Sequence, residues 1–166
     1  MFEVGEFIVH PGQGVCKVAE VVEGEKAVYR LLPINQRHHM LITFPMANEA
    51  RLRPVLTHDE AVDLIDAYPS IEVDDYRCKS NALEEEHFKD KIRNGTCQDT
   101  VRIAKTFRSR IHDVRARNKK PPVAYERILK QATERSVSEL AVALDVTQDE
   151  VKDIFASRKL DLFGEN

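Results

Sequence analysis

The chain changes its hydrophobic period once, at Thr57. Before that point, Phe7 and Val9 alternate with Ile8 and His10, and Val15 to Val22 alternates again, the period of a half-buried strand. Pro11-Gly12-Gln13-Gly14 separates these two runs with turn chemistry. The pattern predicts strands over Glu6–His10, Gly14–Val22, Lys26–Leu32, His39–Phe44 and Arg51–Arg53. Glu23-Gly24-Glu25 reads as a hairpin turn, and Pro33 to His38 as a longer loop. Five short strands in so little chain suit an SH3-like or Tudor-like β-barrel, which closes its sheet and so limits exposed edges.

After Thr57 the period becomes helical. Thr57-His58-Asp59-Glu60 is a capping box, Val62, Leu64 and Ile65 follow it, and Pro69 ends the helix. Ser70 to Lys79 reads as irregular or extended. Leu83 to Arg93 predicts a second helix, stopped by Asn94-Gly95. Thr96-Cys97-Gln98-Asp99 caps a third, whose buried stripe is Val101, Ala104, Phe107, Ile111 and Val114. Asn118-Lys119-Lys120-Pro121-Pro122 is a polar linker, and Pro122 suits the first turn of a fourth helix. That helix carries Tyr125, Ile128, Leu129, Ala132, Leu140 and Leu144, with a break expected near Arg135. Thr147-Gln148-Asp149-Glu150 caps a short last helix with Val151, Ile154 and Phe155. The predicted fold is α+β in two domains: a five-stranded barrel over residues 1–56 and an all-α domain of about five helices over residues 57–166.

Composition narrows the class. The 166 residues are 42% hydrophobic and 32% charged, a soluble globular balance. No apolar run approaches the ~18–20 residues of a membrane span. Met1 leads straight into the first strand with no signal-peptide pattern, so a cytoplasmic location is expected. Cys16, Cys78 and Cys97 are odd in number and lack Cys-x-x-Cys spacing, which supports neither a disulfide framework nor a zinc site.

The net charge of −3 is unevenly spread. Residues 58–90 hold eleven acids and three bases, whereas residues 91–120 hold two acids and ten bases. A basic block of that density is an electrostatic footprint for a polyanion. On a helical wheel of the third helix, Arg102, Lys105, Ser109 and His112 lie opposite the apolar stripe. Arg108 and Arg115 flank one side, Arg110 and Arg117 the other, and Lys119 and Lys120 extend the charge into the loop. Arg102, Lys105, Arg108, Arg110, Arg117, Lys119 and Lys120 are therefore candidate contacts to DNA phosphates, which would bind without reading sequence. The alternative is a solvated face, or one neutralised by the acidic block.

Other chemistry is thinly represented. Val137 to Val151 has the outline of a helix-turn-helix. Its second helix, however, sets Asp149, Glu150 and Asp153, with Asp145 before them, against Lys152 alone, and phosphates repel that balance. His38 and His39 are adjacent, so on a strand they point to opposite faces and share no metal. No phosphate loop or nucleophile elbow is present. Phe2, Phe7, Tyr29 and Phe44 are aromatic enough for a cage, but strand alternation assigns most of them to the core. No catalysis, cofactor, metal, membrane or small-molecule substrate is expected.

The opening string Phe2-Glu3-Val4-Gly5-Glu6-Phe7-Ile8-Val9-His10-Pro11-Gly12-Gln13-Gly14-Val15 resembles the start of the CarD-like family of bacterial transcription factors. Val28 to Leu32, Ile42-Thr43-Phe44-Pro45 and Leu52-Arg53-Pro54-Val55 resemble later strands of that family's RNA-polymerase-interacting domain. The transcription-repair coupling factor shares this domain. The resemblance implies a Tudor-like domain that pairs edge to edge with the polymerase β subunit, with contacts at Val22, Glu23, Met40, Ile42 and Thr43. It also implies a helical domain near promoter DNA and an effect on the stability of the open promoter complex. Family members commonly carry a tryptophan wedge in the helical domain. Here that position falls near Asn81, the chain has no Trp, and Glu84-Glu85-Glu86 follow, a run expected to repel phosphate. Two alternatives stay open: a polymerase-binding adaptor without DNA contact, and an autonomous helix-turn-helix regulator.

Overall fold

The computed structural model describes residues 1–163. The chain divides into two compact units, Met1–Val55 and Leu56–Asn166.

The first unit is a five-stranded antiparallel sheet. Its strands are β1 (Phe7–His10), β2 (Gly14–Val22), β3 (Val28–Pro33), β4 (Ile42–Pro45) and β5 (Arg53–Pro54). Their order in the sheet is β4-β3-β2-β1-β5. Alternation sends Ile8, Cys16, Val18, Tyr29, Leu31 and Phe44 to one face, where Leu52 joins them in the core. A register shift between Val18 and Glu20 inserts an extra residue into β2 and keeps the face consistent on both sides of it. The turn between β1 and β2 is held by His10, whose Nδ1 accepts the Gly12 and Gln13 N–H groups at 3.0 and 3.1 Å. Gly14 closes that turn at φ +74°, a left-handed conformation that costs a side-chain-bearing residue.

The expected barrel closure is not found, and the sheet is open. β5 is two residues long, includes a proline that cannot donate to a ladder, and pairs with β1 only. Most of the chain between β4 and β5 is a short 3-10 helix, Met46–Arg51. β4 is also shorter than the alternation predicts, beginning at Ile42 rather than at His39.

The second unit contains α1 (His58–Ala67), α2 (Asn81–Asn94), α3 (Cys97–Ala116), α4 (Val123–Leu144) and α5 (Gln148–Ser157). Thr57 with Glu60 and Thr96 with Asp99 form complete capping boxes. Gly95 joins α2 to α3 at close quarters, and a Cβ there would stand 2.5 Å from the Lys91 carbonyl oxygen. The break expected near Arg135 does not occur, and α4 is continuous through it. Neither Gly nor Pro interrupts that stretch. The Ser136 and Ser138 hydroxyls donate back to the Ala132 and Glu134 carbonyls, which keeps these polar side chains compatible with a helix. The core joins Phe88, Phe107, Ile128, Leu140 and Phe155, with Phe88 and Phe107 edge to face at 4.8 Å. No helix among the described residues is long and apolar enough to cross a membrane.

Candidate functional site

The sheet has one apolar edge. β4 pairs with β3 alone, so its other edge carries no ladder among the described residues. Met40 and Leu41, immediately before it, are 68% and 49% exposed. Unpaired N–H and C=O groups beside exposed apolar side chains are what an incoming strand requires. Ile42 is half-buried and stands in register with Leu31. Thr43 is exposed opposite Arg30, which in turn pairs with Glu20 at 3.4 Å.

The five residues assigned to polymerase contact do not share this edge. Met40, Ile42 and Thr43 lie on or beside it. Val22 pairs with Val28, whose other neighbour is Pro45, so Val22 sits two strands in, and Glu23 follows it into the hairpin turn. Of the aromatic residues considered for a cage, Tyr29 and Phe44 are buried core and Phe2 packs edge-on against Tyr29.

Residues 2–56 match the family model of the CarD-like/TRCF RID domain. The N-terminal sheet is thus a CarD-like RNA-polymerase-interacting domain, which carries a transcription-related role with RNA polymerase as partner. The match ends at residue 56, so the helices lie outside it. Comparison with curated proteins gives no match.

In the helical unit, four of the seven DNA candidates, Arg102, Lys105, Arg108 and Arg110, are turned inward. Arg110 is not an exposed flank of α3: it is 5% exposed and pairs with Glu84 at 3.0 Å. Its guanidinium also donates to the Asp74 and Tyr76 carbonyls at 3.1 and 2.6 Å and lies over the Phe88 and Phe107 rings. Arg110 follows Phe107 by three positions and precedes Ile111, so the rim of the apolar stripe carries it into the core once Glu84 supplies the counter-charge. Lys105 is held by the Tyr68, Pro69 and Ile71 carbonyls, and its ammonium lies over the Tyr68 ring. Arg108 Nε donates to the Leu162 carbonyl at 3.1 Å. Arg102 is half-buried, with its Nε enclosed and unpartnered.

The acidic block supplies many of these partners. Asp74 accepts from Lys91 at 3.0 Å and from the Tyr76 N–H at 2.9 Å. Burial pushes the Asp74 pKa up, but these two donors outweigh it and hold the carboxyl below its ordinary range. Glu84 and Glu85 are buried, contrary to the repelling run read from sequence. Glu84 accepts the Cys78 N–H as well as Arg110, and Glu85 is gripped by Arg127 at 2.8 and 2.9 Å. The Arg127 hydrogen bonds hold the Glu85 pKa down at about 2. Glu86 remains exposed, paired with Arg93 at 2.8 Å.

Three of the seven DNA candidates keep free side chains. Arg117, Lys119 and Lys120, at the turn after α3, are exposed with no side-chain partner among the described residues. Sequence reasoning missed Arg77, which reaches the Tyr125 hydroxyl at 3.3 Å and so lies at the start of α4, beside this turn. Asn81 opens α2 behind its Ser80 cap, and Leu83 in that first turn is 63% exposed. The helix-turn-helix outline becomes α4, a left-handed Asp145 and a capped α5, on which Asp149, Glu150 and Asp153 are all exposed. Among the described residues no group of three or more acidic, His or Cys side chains is placed to hold a metal.

Proposed function

We propose that this protein is a transcription regulator that docks on the β subunit of RNA polymerase by adding β4 to a polymerase strand. The supporting observation is the RID-domain match over residues 2–56 together with the unpaired β4 edge. Met40, Ile42 and Thr43 are the central contacts in this reading, with Val22 and Glu23 at its flank. Docked there, a factor that binds the open promoter complex better than the closed one shifts their ratio by its differential affinity, without catalysis. The helical unit contributes non-specific phosphate contacts through Arg117, Lys119 and Lys120, joined by Arg77.

A second reading is favoured by the inward-facing basic block. With Lys105, Arg108 and Arg110 engaged inside the fold, an adaptor that occupies the β subunit without touching DNA needs only the sheet edge.

The test uses the full chain with core RNA polymerase. Wild type is expected to co-purify with polymerase and to cross-link from β4 to the β subunit. Paired Met40→Glu and Thr43→Glu substitutions should weaken the complex on the order of tenfold or more. Failure of the wild type to bind polymerase sinks both readings. Reversing Arg117, Lys119 and Lys120 to Glu separates them, because an unchanged promoter footprint and open-complex lifetime leave the adaptor.

A further inference from the structure

The α3–α4 face opens a cavity of about 790 Å³, within the size range of small-molecule sites. Its apolar lining comes from Ile111, which is buried, and Leu129, which is half-buried. Arg108 enters it with its Nε anchored on the Leu162 carbonyl, which orients the guanidinium. The terminal nitrogens of that guanidinium have no hydrogen-bond or ion-pair partner among the described residues. Burial lowers the Arg108 pKa, and the Asp161 carboxylate at the cavity rim opposes that shift without reaching ion-pair distance. The Thr133 hydroxyl lines the same cavity, buried and without a partner. A polar group in that condition forfeits hydrogen-bond energy until something satisfies it.

We propose that this cavity binds a small organic acid with one carboxylate and an apolar body. The carboxylate would take the two open nitrogens of Arg108 in fork geometry, and the body would lie on Ile111 and Leu129. The cavity's own acids set the charge limit. Glu126 is neutralised by Arg115 at 3.1 Å, and Asp161 accepts the Tyr68 hydroxyl at 2.6 Å. Glu134 stands exposed one helical turn beyond Lys130. This near balance tolerates a monoanion and disfavours a phosphate dianion, and the turn at residues 117–120 would select the opposite way.

The test titrates benzoate and octanoate into the isotopically labelled full chain and follows backbone amide shifts. Saturable shifts confined to residues 108–115 and 126–134 are expected, with inorganic phosphate failing to compete. Arg108→Gln should weaken binding about tenfold or more, the value of a charge-assisted pair. That change also removes the Leu162 contact, so Leu129→Asp, which sets a like charge where the apolar body would lie and leaves Arg108 in place, is the second variant and should abolish binding. Absence of saturable shifts, shifts centred on residues 117–120, equal competition by phosphate, or unchanged affinity in a folded variant would each overturn the proposal.

Discussion

Arg110→Met is the most exacting test of how the helical unit is organised. The side chains of Arg110 and Glu84 are each 5% exposed, so the substitution strands a buried carboxylate. It also removes the donors to the Asp74 and Tyr76 carbonyls, which hold the irregular segment between Ile71 and Ser80 against α3. Breaking one side of such a pair costs about 3–5 kcal/mol. At about 4 °C per kcal/mol for a unit of this size, the helical transition should fall by roughly 10–20 °C. Arg110→Met with Glu84→Leu replaces the whole pair by apolar groups, so it should cost less than the two single changes together, by about 2 kcal/mol or more. Thermal unfolding followed by far-UV circular dichroism measures both quantities. A local readout comes from Cys78, half-buried in the same segment while Cys16 and Cys97 are buried. Loosening should raise the rate at which a thiol reagent labels Cys78 below the melting range. A shift under about 4 °C, strict additivity, or an unchanged Cys78 labelling rate would refute the view that the pair anchors this segment.

Four further substitutions have expected outcomes. Glu85 titrates at about 2 in the fold against an ordinary 4.5, so its contribution is fully present above about pH 4.5 and is lost as pH falls toward 2. Glu85→Gln should cost about 1–2 kcal/mol at neutral pH, discounted because Arg127 is half-exposed, and should flatten that part of the acid-unfolding curve. Gly95→Ala places a Cβ 2.5 Å from a backbone oxygen and 2.8 Å from Asp99 Oδ2, and denaturant unfolding should show a loss of about 1–3 kcal/mol. Gly14→Ala, at φ +74°, should cost the RID domain about 1–2 kcal/mol, while His10→Ala removes both turn acceptor bonds and should raise amide exchange at Gly12 and Gln13.

What was legible in the sequence was local. Thr57 with Glu60 and Thr96 with Asp99 cap helices through bonds that span three residues, so reading along the chain finds them. The β1 and β2 strands and the turn between them follow from alternation and Gly-Pro chemistry. The features that were not legible depend on distant partners. Arg110 meets Glu84 across 26 positions and Lys105 meets Tyr68 across 37, and no helical wheel contains those residues. The wheel placed Lys105 opposite the stripe and Arg110 at its flank because it knows one helix and not what packs on it. Barrel closure was over-read for a related reason. Five strands permit a barrel, but a two-residue β5 bearing a proline leaves the ladder to β4 unmade.

The inward turn of the basic block changes what the helical unit contributes to the proposed mechanism. Seven phosphate contacts would give a salt slope near −6 and substantial affinity for naked DNA, whereas Arg117, Lys119, Lys120 and Arg77 give a slope of about −3 to −4 and weak binding at physiological salt. Such contacts matter only if something else delivers the protein to the promoter. Docking of the RID domain would do this by making DNA contact intramolecular, at an effective concentration on the order of millimolar. The consequence is a dissociation between two assays. Lys119→Glu with Lys120→Glu should leave the already weak binding to free duplex almost unchanged in a gel shift. The same pair should shorten open-complex lifetime when polymerase is present, and the defect should shrink as salt is raised and the wild-type contacts are themselves screened. Tight polymerase-independent binding to free duplex, or a lifetime defect that grows with salt, contradicts delivery by polymerase.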